Sequence, residues 1–171
     1  MILCDGMGTG MGAVQEGNAA GSILKRLLCA GYPASHALRS LNSLCALRQR
    51  AGAVTVDLAE LQLDTGKVSL YKWGAPPSYL VTKLSVERLG NPGPPPGISV
   101  TEYRETVEQF SLRRGELLVL VSDGIEPEQA QCCCKAFEVG LPPGELAKAL
   151  MACQTETTDD ATIVLVRLEN G

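Results

Sequence analysis

Three places in the sequence bring an apolar run up against aspartate at a turn: Asp5-Gly6, Asp123-Gly124 and Asp159-Asp160. Were the ends of those runs to converge, three or four carboxylates would share a small volume, and like charges so close cannot all stay ionised without cations among them. Carboxylate oxygen is a hard donor, so the pattern points to magnesium or manganese rather than to zinc or copper, which prefer nitrogen and sulfur. Gly6 has no side chain to hold the backbone away from an ion, and its carbonyl could serve as a further oxygen ligand. Two such ions about 4 Å apart can activate water and stabilise the oxygens of an in-line displacement at phosphorus, so hydrolysis of a phosphate ester is the reaction class this donor set suits. Any single corner is explained by turn chemistry alone, since Asp-Gly is a common turn dipeptide, and Asp64-Thr65-Gly66 reads as a hairpin turn. It is the recurrence that carries the chemistry.

Other chemistries fit less well. Gly8-Thr9-Gly10-Met11-Gly12-Ala13 satisfies the G-x-G-x-x-A pattern of a dinucleotide site, but no Asp or Glu follows at the expected distance of about 20 residues. The same turn lacks the G-K-[ST] of a phosphate-binding loop, and no G-x-S-x-G nucleophile elbow occurs. The single histidine, His36, falls in a helical pattern and reads as a partly exposed helix residue rather than a base. Seven cysteines, at positions 4, 29, 45, 132, 133, 134 and 153, are odd in number and show neither a disulfide framework nor a C-x-x-C pair, so they are expected to be reduced and not to bind zinc.

The elements that must hold the corners can be read from periodicity. Met1 to Cys4 is a short strand running into a glycine-rich turn. Ala13 to Ala30 and Pro33 to about Arg50 have apolar residues at helical spacings, with Gly31 and Gly52 as stops. From Val54 the period becomes two, and a long hairpin turns at Asp64-Thr65-Gly66 into Val68 to Trp73. Ser78 to Thr82 is a short strand, Asn91 to Gly97 a proline-rich surface loop, and Val100 to Leu112 an extended segment. Leu117 to Val121 reads as a buried strand ending at Ser122-Asp123-Gly124. Helices are expected over Glu126 to Phe137 and Pro143 to Cys153, and a last strand over Ala161 to Leu168. This order is α+β and not a regular βαβ alternation.

Composition agrees with one folded domain over residues 1–171. The chain carries 15 Lys plus Arg against 19 Asp plus Glu, a net charge of −4, with 45% hydrophobic residues. That excludes an electrostatic nucleic-acid binder and a disordered tail. No run approaches the roughly 18 apolar residues of a membrane span, and Met1 to Asp5 does not read as a secretory leader, so no membrane contact by this segment and a cytoplasmic location are expected, with any membrane anchor of a parent protein lying in another region.

In their order, Ile2-Leu3-Cys4-Asp5-Gly6-Met7-Gly8, Thr55-Val56-Asp57-Leu58, Val121-Ser122-Asp123-Gly124 and Asp159-Asp160-Ala161-Thr162 resemble the metal-dependent (PPM-type) serine/threonine protein phosphatases, in the bacterial branch typified by the stage II sporulation protein E phosphatase domain. Leu41-Asn42-Ser43-Leu44 and Gly74-Ala75-Pro76-Pro77-Ser78 match as well. The resemblance implies a β-sandwich of two mainly antiparallel sheets flanked by helices, with two Mn2+ or Mg2+ ions that hydrolyse phosphoserine or phosphothreonine on a protein. By the same resemblance Asp5 is the bridging ligand, Gly6 a carbonyl ligand, and Asp123 and Asp159 the later catalytic metal ligands, with Asp160 beside the last. Met7 stands where many eukaryotic relatives place a histidine acid. Family members usually carry a further strand and acidic ligand upstream of the motif at Ile2, so the chain looks N-terminally truncated, and a second copy or altered pairing could cover the exposed strand edge. The implied substrate is a phosphorylated anti-anti-sigma-factor-like protein, in sporulation or stress control. The competing reading is a catalytically weak fragment that serves as a protein-binding or regulatory module.

Overall fold

The first apolar run forms a strand that leads into a helical hairpin, and among the described residues six strands, a second pair of helices and a last strand follow. A computed structural model describes residues 1–49, 53–90, 93–98, 107–136, 142–152 and 160–169. The elements are β1 (Ile2–Gly6), α1 (Met11–Cys29), α2 (Ala34–Leu47), β2 (Val54–Leu61), β3 (Lys67–Trp73), β4 (Ser78–Val81), β5 (Val86–Leu89), β6 (Val107–Ser111), β7 (Leu117–Val121), α3 (Pro127–Ala136), α4 (Pro143–Ala152) and β8 (Ile163–Arg167). They make two four-stranded sheets, ordered β1-β2-β3-β6 and β5-β4-β7-β8. The chain divides into two compact units, one of residues 1–60, 70–75 and 91–107, the other of residues 61–69, 76–90 and 108–171.

In the first unit β1 pairs antiparallel with β2, with Asp5 opposite Thr55 and Gly6 opposite Val54. A dinucleotide fold would put a parallel strand there, so the glycine pattern after β1 serves a different turn. Leu24 of α1, Leu38 and Leu41 of α2, and Val54, Val56 and Leu58 of β2 form one apolar cluster, which Ile2 and Cys4 join from β1. The alternate residues of β2, Thr55, Asp57 and Ala59, project to the opposite face and are buried too. Pro33 precedes α2 as its cap rather than lying in its first turn, and its carbonyl accepts the Ala37 N–H at 3.0 Å. The proline-rich loop is tied down at two points. Gly74 N–H donates to Gly93 O at 2.8 Å, and Gly97 N–H donates to Asn42 Oδ1 at 2.7 Å, which gives the Asn42 amide a structural task.

In the second unit β4, β7 and β8 pair antiparallel, and Leu117 to Val121 is buried throughout, as its unbroken apolar run implies. Tyr79, Val119, Val121, Leu146 and Leu150 belong to the core of this unit, which α3 and α4 cover. β5 was not expected from the sequence: Glu87 and Arg88 are exposed on an edge strand, so no apolar alternation marks it. Its turn is held by Thr82 Oγ1, which accepts the N–H groups of Leu84 and Ser85 at 3.2 and 3.0 Å. Asp64-Thr65-Gly66 is the tight turn expected, with Gly66 at φ 71° and its N–H bonded to Gln62 O at 2.7 Å. Cysteines 4, 29, 45, 132 and 134 are free, whereas Cys133 is disulfide-bonded, which corrects the expectation of reduced thiols throughout. The expected strand residues 100–106 and the end of the last helix, Cys153, lie outside the described residues.

Candidate active site

The Asp5-Gly6 corner of the first unit is formed by backbone packed on backbone. A Cβ on residue 6 would lie 1.8 Å from the Ala13 carbonyl oxygen, and one on residue 17 would lie 3.2 Å from the Gly6 nitrogen. Gly6 and Gly17 together therefore let α1 rest on the end of β1, a reason for Gly6 that precedes any ligand role. Met7 N–H donates to Ala53 O at 2.9 Å, closing the corner, while the Met7 side chain is exposed. Asp5 is half-buried. Beside it, burial first, then the charges of Asp57 and Asp5, push the Cys4 thiol up to about 12, so Cys4 is a neutral packing residue.

One buried charge pair lies in the same unit. Lys72 Nζ donates to Asp57 Oδ1, and both residues are almost wholly buried. Among the described residues Asp57 Oδ2 has no hydrogen-bond partner. Burial pushes the Asp57 carboxyl up to about 6 against the opposing pull of Lys72, so desolvation outweighs attraction at this site.

In the second unit the Asp123 and Asp160 corners are brought together. β7 and β8 pair in register to Val121 opposite Ile163, and the Ser122 N–H extends the ladder to Thr162 O at 2.9 Å. The Ser122 hydroxyl accepts the Thr162 N–H at 2.9 Å and donates to the Asp160 carbonyl at 3.4 Å. Gly124 faces the same segment, since a Cβ there would lie 2.5 Å from the Asp160 carbonyl oxygen. Tyr79 steadies the far side of the turn, its hydroxyl donating to the Pro127 carbonyl at 2.6 Å. The side chains of Asp123 and Asp160 are exposed at this corner. Asp159, the expected ligand, lies outside the described residues.

Carboxylate and backbone-carbonyl oxygens, such as those at these corners, are hard donors of the kind that Mg2+ and Mn2+ prefer. Among the described residues no group of three or more His, Cys, Asp or Glu side chains is gathered closely enough to hold an ion. His36 is exposed on α2, with its Nδ1 3.5 Å from the neighbouring Ser35 hydroxyl, as a helix-surface residue should be.

The model of the Stage II sporulation protein E (SpoIIE) family matches residues 1–169. The chain belongs to this family. It is 30% identical to stage II sporulation protein E of Bacillus subtilis over 183 residues, covering 99% of this chain and 22% of that protein, so it spans under a quarter of that relative's length. The PP2C phosphatase domain of Bacillus subtilis SpoIIE, solved with a fragment of its regulatory domain, superposes with a TM-score of 0.83 at 29% identity over 97% of this chain and 53% of that one. RsbX in complex with magnesium shares the fold at a TM-score of 0.76 and 15% identity, over 96% of this chain and 78% of the other. The α+β architecture of two antiparallel sheets and four helices is thus that of the PP2C phosphatase domains.

Within the SpoIIE frame, two features escaped sequence reasoning. Ser122 sits inside the Val121-Ser122-Asp123-Gly124 motif, where a small hydroxyl at the last position before a strand-end aspartate is a recognisable signal for a side-chain bridge. The Asp57–Lys72 pair was also legible, because the two residues lie equally far from the Asp64-Thr65 step and so face each other across the hairpin.

Proposed function

We propose that this chain is a metal-dependent phosphoprotein phosphatase domain in which Asp5, the Gly6 carbonyl, Asp123 and Asp159 hold two manganese or magnesium ions, with Asp160 next to the last ligand. The reading rests on one observation above all: the Asp123 and Asp160 corners are stitched to each other in a chain that belongs to the SpoIIE family. The magnesium bound by RsbX, which shares the fold, supports the choice of ion. The proposed substrate is phosphoserine or phosphothreonine on an anti-anti-sigma-factor-like protein, met in the cytoplasm. Pairing of two copies of the domain is included in this reading as a way to cover an exposed strand edge.

When bound, the ions supply Lewis acidity for attack of water on phosphorus and for the charge that builds on the phosphoryl oxygens. The chain's own residues place that chemistry. Asp5 is fixed by the α1 backbone behind Gly6, and Asp123 is fixed by Ser122 and by the turn that Tyr79 anchors. The new P–O bond forms from water as the bond to the serine or threonine oxygen breaks, and that oxygen takes up a proton. Met7 has no proton to give, so solvent supplies it.

The test is turnover of an aryl phosphate and a phosphoserine peptide with manganese titrated in, for this chain, for Asp123→Asn and for a version extended upstream. Manganese-dependent turnover that Asp123→Asn abolishes supports the reading. Turnover by the extended version alone would make this chain an incomplete enzyme. No turnover and no metal binding in either would favour the binding-module reading.

A further inference from the structure

We propose that Ser122 is a positioning residue that sets the spacing of the Asp123 and Asp160 corners, and so the fit of a cation between them; this rests on the metal-centre reading above. Ser122 is 2% exposed at the end of β7. In an antiparallel ladder facing residues alternate between pairs that exchange both hydrogen bonds, N–H to C=O in each direction, and pairs that exchange none, and a bond from one member's N–H to the other's carbonyl marks the first kind. Ser122 and Thr162 make only one of these: the Ser122 N–H reaches Thr162 O at 2.9 Å. The return bond goes to the wrong atom for a ladder, because the Thr162 N–H donates to the Ser122 hydroxyl at 2.9 Å instead of to its carbonyl. That carbonyl is thereby released, and it accepts the Ile125 N–H at 3.1 Å, closing the turn that carries Asp123 and Gly124.

One hydroxyl thus does two things. It replaces a backbone acceptor so that the chain can turn at Asp123, and its own proton reaches the Asp160 carbonyl at 3.4 Å, drawing in the segment that leads into β8. Gly124 sets the limit of that approach from the other side, where a Cβ would lie 2.5 Å from the same carbonyl oxygen and 3.2 Å from the Ala161 Cα. Without the hydroxyl, the Thr162 N–H must either stay unpaired or recapture the Ser122 carbonyl, which opens the Asp123 turn. Both outcomes move one acidic corner relative to the other.

The experiment is Mn2+ binding, followed by the electron paramagnetic resonance of free Mn2+, for the native chain, Ser122→Ala, Ser122→Thr and Gly124→Ala. Urea unfolding in EDTA is measured beside it. The expected result is Mn2+ affinity at least tenfold weaker in Ser122→Ala and in Gly124→Ala, with Ser122→Thr, which keeps the hydroxyl, within threefold of native. Should Ser122→Ala fail to fold, Gly124→Ala and the threonine rescue still decide the matter. Native-like affinity in Ser122→Ala, whatever its unfolding midpoint, overturns the proposal, since a merely structural serine shifts only the midpoint. If the native chain itself binds no Mn2+, the metal-centre reading fails and takes this proposal with it, an outcome distinct from native binding that the variants leave intact.

Discussion

The buried Asp57–Lys72 pair allows a prediction whose sign is not the intuitive one. Asp57 is pushed up to about 6 from 3.8, because burial outweighs the attraction of Lys72. The folded state therefore holds this proton more tightly than the unfolded chain does. Its contribution to stability is full below the unfolded value near 3.8 and is lost as pH rises through about 6. The gap corresponds to a penalty on the order of 3 kcal/mol for the ionised form, nearly all of it in force at pH 7.5. Asp57→Asn removes the charge but leaves an amide where Oδ2 already lacks a partner, which returns about 1–3 kcal/mol of the gain. From the shift and the unsatisfied amide alone, the variant is expected to range from unchanged to about 2 kcal/mol more stable at pH 7.5. Urea unfolding at pH 7.5 and 4.5 checks this, and comparison with the native chain cancels the other carboxylates. Acidification should move stability in favour of the native chain by about 2 kcal/mol. A variant that is several kcal/mol less stable at pH 7.5 and recovers on acidification would refute the reasoning, because it would mean that the Lys72 attraction wins. Lys72→Met should raise the Asp57 carboxyl further, an effect visible in its carboxyl-carbon NMR titration.

Three further outcomes follow from the packing and the site. Gly6→Ala puts a methyl group against the Ala13 carbonyl, and is expected to destabilise the chain by at least about 2 kcal/mol in urea unfolding as α1 is lifted from β1. Tyr79→Phe deletes the donor to the Pro127 carbonyl and should lower stability by about 1–2 kcal/mol in the same assay. Thiol titration of the native chain should find Cys29 and Cys132, which are exposed, reacting fast, and Cys134, buried and pushed up to about 11, reacting only on unfolding.

Where an apolar run meets aspartate, the corner is legible because the run itself is: Leu117 to Val121 can only be a buried strand, and Asp123 has to follow it. α1, α2 and the hairpin of β2 and β3 are legible for the same reason, since their periods are long and unbroken. β5 is not, because a four-residue edge strand with Glu87 and Arg88 turned outward has no apolar alternation to display. Thr55 and Asp57 mislead in another way. Polar residues at alternate positions ordinarily mark a solvated face, yet both are buried, and only a lysine placed symmetrically across the turn hints that the charge has a partner.

The site divides along a similar line. Which residues carry oxygen donors is a property of local sequence, and it can be read from a strand, an aspartate and a glycine in succession. How far apart two corners stand depends instead on single atoms: a hydroxyl at Ser122 that substitutes for a backbone carbonyl, and an absent Cβ at Gly124. Neither atom changes the hydrophobic pattern by which elements are recognised, so periodicity cannot register them. Asp-Gly at Gly6 and at Gly124 looks like turn chemistry in both places, but in the structure each glycine is demanded by a carbonyl oxygen from outside its turn, Ala13 of the following helix in one case and Asp160 in the other. The same dipeptide that signals a turn therefore also marks where a second backbone must come close, and a metal centre built on carboxylates needs that closeness before it needs the metal.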